Sequence, residues 1–157
     1  MGKNIKWLTL LLTVQIGLVV FFMNRNNPTA VFKQTENLLS LDFDKLDRIV
    51  VSSEGQEIEI AKSNGTWVLP GKFRFPVSPS KISTFFDQLK SLKRSLPVGN
   101  TSIAAKQLLV SESKFERKVE FYSNEKKLQT LFVGDSPSFR KIYARLEGED
   151  HTFSVSF

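Results

Sequence analysis

RIVVSSEGQEIEIAKSNGTWVL, residues 48–69, is the stretch of sequence that decides the fold. Its β-branched opening predicts one strand, and the alternation of glutamate and isoleucine that follows predicts a second, with Ile58 and Ile60 facing inward. Asn64-Gly65 is a strong hairpin signal that leads into a third strand. The stretch therefore predicts an antiparallel meander of three strands, at Arg48–Ser53, Gln56–Lys62 and Thr66–Leu69.

The best helix signal in the chain follows this meander. Ser78 occupies the N-cap position and Pro79 the first helical position, where the missing N–H costs nothing. Pro97 and Gly99 are expected to stop the helix, and a second, shorter helix is expected over Ile103–Leu109. One apolar face of the first helix is formed at helical spacing by Ile82, Phe85, Phe86, Leu89 and Leu92.

Four strand patterns close the chain. Val119 and Phe121 alternate with polar residues, and Ile142 and Ala144 alternate with Tyr143 and Arg145, which are expected to face outward. The element order predicts an α+β domain in which a helix pair covers an antiparallel sheet. The expected closing strands are Glu116–Tyr122, Leu128–Val133, Lys141–Leu146 and Thr152–Phe157.

An apolar segment near the N-terminus indicates a membrane anchor. Trp7–Met23 carries no charge and is bracketed by Lys3, Lys6 and Arg25. A cleavable signal peptide is the alternative, but the segment is longer than such a peptide needs and lacks a good cleavage site. The positive-inside rule then places the N-terminus in the cytoplasm. The predicted parts are an anchor at 1–23, a juxtamembrane linker at 24–37 and a domain at 38–157.

Composition excludes several kinds of site. The 157-residue chain has no cysteine, which excludes a disulfide framework, a thiolate metal site and a cysteine nucleophile. His151 is the only histidine and cannot build a metal site by itself. Asp42, Asp44 and Asp47 lack the glycine of a calcium loop, so turn and capping roles are expected. We therefore expect no cofactor and no metal.

No catalytic constellation is recognisable. Gly134-Asp-Ser136 lacks the G-x-S-x-G pattern of a nucleophile elbow, and there is no glycine-rich phosphate loop, so we expect no enzyme. Of the net charge of +6, Lys3, Lys6 and Arg25 account for half. A nucleic-acid role is disfavoured by the predicted location.

A basic surface for anionic lipid or envelope glycan remains an alternative function. We expect instead that Phe73 and Phe75 pin their loop to the domain and that the bases form an ordinary solvated face. The predicted surface consists of Phe73, Arg74, Phe75, Lys81, Lys90, Lys93 and Arg94, the last three expected in the last turn of the first helix.

Four stretches of the chain resemble the DUF4340 family of bacterial envelope proteins. They are Leu41–Val51, Asn64–Trp67, Ser83–Leu92, and Val133–Phe139 with Ile142–Arg145. The resemblance implies a single-pass protein of the bacterial inner membrane, with its domain facing the periplasm or the cell exterior. It also implies a partner among envelope proteins, often an ABC transporter of the gliding-motility type. Family members commonly continue into a related segment, and since the last strand pattern reaches Phe157, we expect a longer protein.

Overall fold

A computed structural model describes Trp7 and residues 11–18 and 36–156. The chain divides into two compact units, Met1–Phe32 and Lys33–Phe157. Residues 11–18 are helical, and no helix within the described ranges is both long and apolar enough to cross a membrane. The predicted anchor lies largely outside the described residues, as does the predicted linker up to residue 35, so both stay predictions.

One antiparallel sheet organises the second unit. Within residues 36–156 it has nine strands in the order β4-β3-β2-β1-β6-β7-β8-β9-β5. The strands are β1 Arg48–Ser53, β2 Gln56–Ser63, β3 Thr66–Leu69, β4 Phe75–Pro76, β5 Pro97–Gly99, β6 Arg117–Ser123, β7 Lys126–Val133, β8 Lys141–Leu146 and β9 Thr152–Ser156. The helices are α1 Pro79–Ser91 and α2 Ser102–Gln107, preceded by a 3-10 turn at Phe43–Lys45.

The predicted α+β class and the antiparallel meander are confirmed. β1 pairs with β2 and β2 with β3 in the expected hairpins. β1 also pairs with β6, and this pairing joins the meander to the closing strands in a single sheet. The two edge strands, β4 and β5, are absent from the sequence prediction, and β5 is the segment expected only to stop a helix. Strands of two or three residues that contain proline produce no periodic signal, and proline is tolerated at sheet edges.

The two helices lie on opposite faces of the sheet rather than together on one. Phe86 of α1 packs against Trp67 with ring centroids 5.8 Å apart, on the face that by register also carries Ile49. Ala105 of α2 packs with Val110 and Phe132 on the other face. The two helices predicted to cover the sheet are therefore divided between its two faces. Each helix is amphipathic, so each buries its apolar side on a different layer of the core.

Two side chains depart from the alternation expected of them. Ile58 shares the face of buried Ile49 but is 52% exposed, because the β1–β2 hairpin extends beyond the packed core. Arg145 is only 9% exposed, since the segment after α2 covers its face. Its Nε donates to the carbonyl of Val110 (2.8 Å), and its guanidinium carbon lies 5.0 Å from the ring centre of Phe132. A terminal nitrogen donates to the carbonyl of Glu149 at 2.9 Å.

Gly134 allows the segment after α2 to approach the end of β7. A Cβ at this position would lie 1.9 Å from the carbonyl oxygen of Leu108 and 2.8 Å from a methyl group of Val110. No side chain can occupy that space, so this close approach requires glycine. This close approach lets the segment after α2 pack over Arg145.

Candidate functional site

Two bases of the predicted surface, Lys90 and Lys93, contact other residues of the domain. The first helix ends at Ser91, so Lys90 lies in its last turn as predicted, but the placement of Lys93 and Arg94 in that turn is wrong, because both lie beyond the end of the helix. The Nζ of Lys90 is 5.4 Å from the ring centre of Phe43, a cation–π geometry. Lys93 donates to the side-chain oxygen of Asn37 at 2.5 Å. Both cations therefore help to hold the N-terminal part of the domain against α1.

Arg94 is engaged more fully. Its guanidinium donates to Glu149 Oε1 at 2.5 Å and lies 5.4 Å from the ring centre of Phe153. The side chains of Arg94 and Glu149 are 22% and 31% exposed, so the ion pair is partly shielded from water. Lys81, in the first turns of α1, is exposed. The structure therefore groups Lys90, Lys93 and Arg94 around the end of α1, where each contacts another residue of the domain, and places Lys81 at the start of the helix; Lys90 and Lys93 are exposed as well.

The predicted loop around Arg74 connects Leu69 to its strand partner Phe75 and ends in a tight turn, here named the β3–β4 tip (Lys72–Phe75). The amide of Phe75 donates to the carbonyl of Lys72 at 3.0 Å. The two central residues, Phe73 and Arg74, have φ angles of 54° and 55°. This is the pattern of a type I′ turn, which favours Asn-Gly because both central residues need a positive φ. The same chain uses Asn64-Gly65 for its β2–β3 turn, with φ angles of 49° and 81°.

Both phenylalanines of the β3–β4 tip point into solvent. Phe73 is 106% exposed and Phe75 is 63% exposed. The interpretation that they pin their loop to the domain is therefore wrong. The sequence shows that aromatic and basic residues alternate here, but only the turn geometry projects the aromatic rings away from the core.

A second exposed aromatic–basic turn was missed from sequence. This β7–β8 tip (Ser138–Lys141) contains Phe139, which is 86% exposed, and Arg140, which has a φ of 57°. The guanidinium carbon of Arg140 lies 5.2 Å from the ring centre of Phe139. The repeated dipeptide, Phe-Arg at 73–74 and again at 139–140, is the signal that could have revealed it.

Strand directions place both tips at the same end of the sheet. β3 and β7 run parallel to β1 because each is separated from it by one intervening antiparallel strand, and each leads into a tip. The two tips, one between β4 and β3 and the other between β7 and β8, are five strand spacings apart, or roughly 24 Å, and sheet twist turns them in different directions. They are therefore two separate features, not one pocket.

A polar cleft lies at this same end. It has a volume of about 540 Å³ and is lined by residues 52–57 of the β1–β2 hairpin together with Ser113, Lys114, Phe115 and Lys118. Lys118 forms an ion pair with Glu120 at 3.1 Å, and its Nζ lies 5.9 Å from the ring centre of Phe115. The hydroxyl of Ser52 donates a hydrogen bond to a carboxylate oxygen of Glu57 at 3.3 Å, and both residues line the cleft.

An ion pair in which both groups have a shifted pKa lies at the opposite end of the sheet. Lys127 and Thr130 both donate hydrogen bonds to Glu147, at 2.9 Å and 2.8 Å. The bond from Lys127, followed by that from Thr130, lowers the pKa of Glu147, and the same carboxylate raises the pKa of Lys127. Both shifts stabilise the charged forms, as expected of a structural ion pair.

The aspartates near residue 42 have the turn and capping roles predicted for them. Asp42 accepts from the amide of Asp44 and forms an ion pair with Lys45 at 2.9 Å; the hydrogen bond from Lys45 lowers the pKa of Asp42. Asp47 accepts from the amide of Asn124. Across the ranges that the structure describes, no group of three or more His, Cys, Asp or Glu residues could hold a metal ion.

Comparison with known protein families identifies the family of this chain. The family model "Domain of unknown function (DUF4340)" matches residues 67–157, more than half of the chain. The chain belongs to the DUF4340 family. The DUF4340 match begins at the last strand of the meander and includes both tips, whereas the resemblance noted at Leu41–Val51 lies outside it. No curated protein and no solved structure matched the chain.

Proposed function

We propose that this DUF4340 protein is a non-catalytic accessory domain, anchored in the bacterial inner membrane and facing the periplasm or the cell exterior. In this proposal it docks beside an ABC transporter or another envelope complex. The apolar segment Trp7–Met23 and the positive charges of Lys3 and Lys6 support the anchor and its orientation. Membership of the family supports the envelope location.

One observation carries the docking part of the proposal. Large apolar side chains are exposed on an otherwise well-packed domain, and exposed apolar surface marks contact sites more often than catalytic ones. The exposed apolar residues concerned are Phe73, Phe75, Leu96, Val98, Ile103 and Phe139.

Purification of the full chain from solubilised membranes tests the docking proposal. We expect transporter or envelope subunits to co-purify with it, and a Phe73→Ser, Phe75→Ser, Phe139→Ser variant that folds normally should recover less of them. Recovery of the chain with no such subunit would contradict the proposal.

Sidedness is tested separately. A periplasm-active reporter fused after Phe157 should be active, and Lys3→Glu with Lys6→Glu should reduce that activity by weakening the orientation bias. A cytoplasm-active reporter that works at the same position would contradict the proposed topology.

The exposed aromatic–basic turns also favour a second candidate function, binding of anionic lipid or envelope glycan. The lipid case is the one that the tip chemistry supports, as argued below.

A further inference from the structure

We propose that the β3–β4 tip inserts into the headgroup region of an anionic bilayer. In this contact the rings of Phe73 and Phe75 enter the boundary between headgroups and acyl chains. The cationic groups of Lys72 and Arg74 bind lipid phosphates. This is a site of defined position, in place of the diffuse basic surface that the sequence indicates.

The chemistry of the tip matches such an interface. Phe73 and Phe75 are exposed and flank Arg74, with Lys72 just before them. An aromatic ring gains from leaving water, while long basic side chains extend back to the phosphates. Anionic headgroups attract each basic residue that lies near the membrane surface.

Charge around the tip is complementary to an anionic surface. Residues 60–86 contain four bases, at positions 62, 72, 74 and 81, and no acid. The neighbouring β1–β2 hairpin carries Glu54, Glu57 and Glu59 at the same end of the sheet. These carboxylates limit the attractive region to the tip itself, so a shallow contact is expected rather than a broad docked face.

Backbone strain gives an independent reason to assign the tip a role. Phe73 and Arg74 both have left-handed φ angles that glycine and asparagine adopt more readily. Asn64-Gly65, in the two-residue loop of the preceding hairpin, has positive φ angles with the favoured residues. Strained backbone persists where other interactions compensate for it, and such positions cluster at binding sites. Within the domain Phe73 has no burial that could compensate, so the compensation is expected from a partner surface.

The test uses the cysteine-free full chain with one cysteine introduced for an environment-sensitive fluorophore. Gly71→Cys places the label beside the tip, where an added Cβ meets nothing within 4 Å. Thr66→Cys places it at the other end of β3 as a matched control. The labelled chain is reconstituted in bilayers of phosphatidylcholine, with or without phosphatidylglycerol, that contain lipids carrying a quencher.

The position 71 label should be quenched strongly only in the anionic bilayers, and the position 66 label in neither. Lys72→Glu with Arg74→Glu should reduce the ratio of inserted to free tip by about 30-fold or more, given the attraction that each base contributes. Phe73→Ser with Phe75→Ser should abolish the quenching. Leu128→Ser, at an exposed apolar residue near the start of β7 and so at the other end of the sheet, should leave it unchanged.

Equal quenching of the two labels, or quenching that survives loss of both phenylalanines, would overturn the proposal. So would a photo-crosslinker at position 71 that captures a protein in native membranes while the reconstituted tip shows no quenching. The inference rests on the proposed function only in that the anchor holds the tip near a bilayer. Anchoring is measured separately, by resistance of the chain to alkaline extraction, so the two failures are distinguishable.

Discussion

Exchange of the central residues of the β3–β4 tip should stabilise the protein. Phe73→Asn with Arg74→Gly introduces the dipeptide that the chain already uses at Asn64-Gly65, where the backbone also has positive φ angles. Because Phe73 is fully exposed, its removal sacrifices no burial. The variant therefore changes turn energetics almost alone.

The magnitude follows from two opposing effects. A non-glycine residue in the left-handed region costs roughly 1–2 kcal/mol, which glycine avoids and asparagine reduces. Glycine also increases the conformational entropy of the unfolded chain, which offsets about 0.5–1 kcal/mol of the stabilisation. The expected net gain is about 1 kcal/mol in the free energy of unfolding, or a rise of about 4 °C in Tm.

Denaturant unfolding of the full chain in mild detergent measures the global effect. β4 is a two-residue edge strand, so part of the gain can remain local. Hydrogen exchange of the Phe75 amide, which donates to the carbonyl of Lys72, measures that part. The reverse exchange, Asn64→Phe with Gly65→Arg, should lower stability by about 1–2 kcal/mol. A forward variant that loses both stability and amide protection, or a reverse variant that behaves as wild type, would refute the reasoning.

Gly134→Ala should destabilise the domain by about 3 kcal/mol, because its Cβ would overlap a backbone oxygen that cannot rotate away. Arg145→Met should cost about 2–4 kcal/mol, since two backbone carbonyls lose a donor at a buried position. Because the pKa of Glu147 is lowered in the folded state, this residue should contribute its full stabilisation at pH values above its ordinary pKa of 4.5. The contribution should be lost as the pH falls through the lower pKa of the folded state. Glu147→Gln should therefore flatten the acid side of the stability profile.

Each of these outcomes has a matched control in denaturant unfolding. Gly71→Ala adds the same methyl group in open space, and Arg117→Met removes an exposed arginine; both should change stability by less than about 0.5 kcal/mol. Equal free energies of unfolding for Gly134→Ala and Gly71→Ala would contradict the close approach of Gly134 to the segment after α2. A buried role for Arg145 would be untenable if its variant matched Arg117→Met. Lys127→Met should weaken the acid-side dependence on Glu147, and an unchanged profile would argue against their ion pair.

The site was only partly predictable from sequence. Arg74 and its two flanking phenylalanines stood out as alternating bases and aromatic residues, but the pattern is the same whether the rings pack inward or project outward. The turn type and the short pairing of β4 with β3 decide that these rings are exposed, and neither feature produces a periodic pattern in the sequence. The sequence predicts that Lys90 and Arg94 belong to a basic surface. In the structure Lys90 contacts Phe43 and Arg94 contacts Glu149, and both partners lie far away in the sequence.

Local physical chemistry in the sequence determined the main elements of this domain. Side-chain alternation defined the long strands, Asn64-Gly65 defined a hairpin, and Pro79 defined the start of α1, because each of these signals depends on neighbouring residues alone. Tertiary structure decided the pairing of β1 with β6, the placement of the helices on opposite faces and the burial of Arg145. These features join segments distant in the chain, so only the packing of the whole domain selects them.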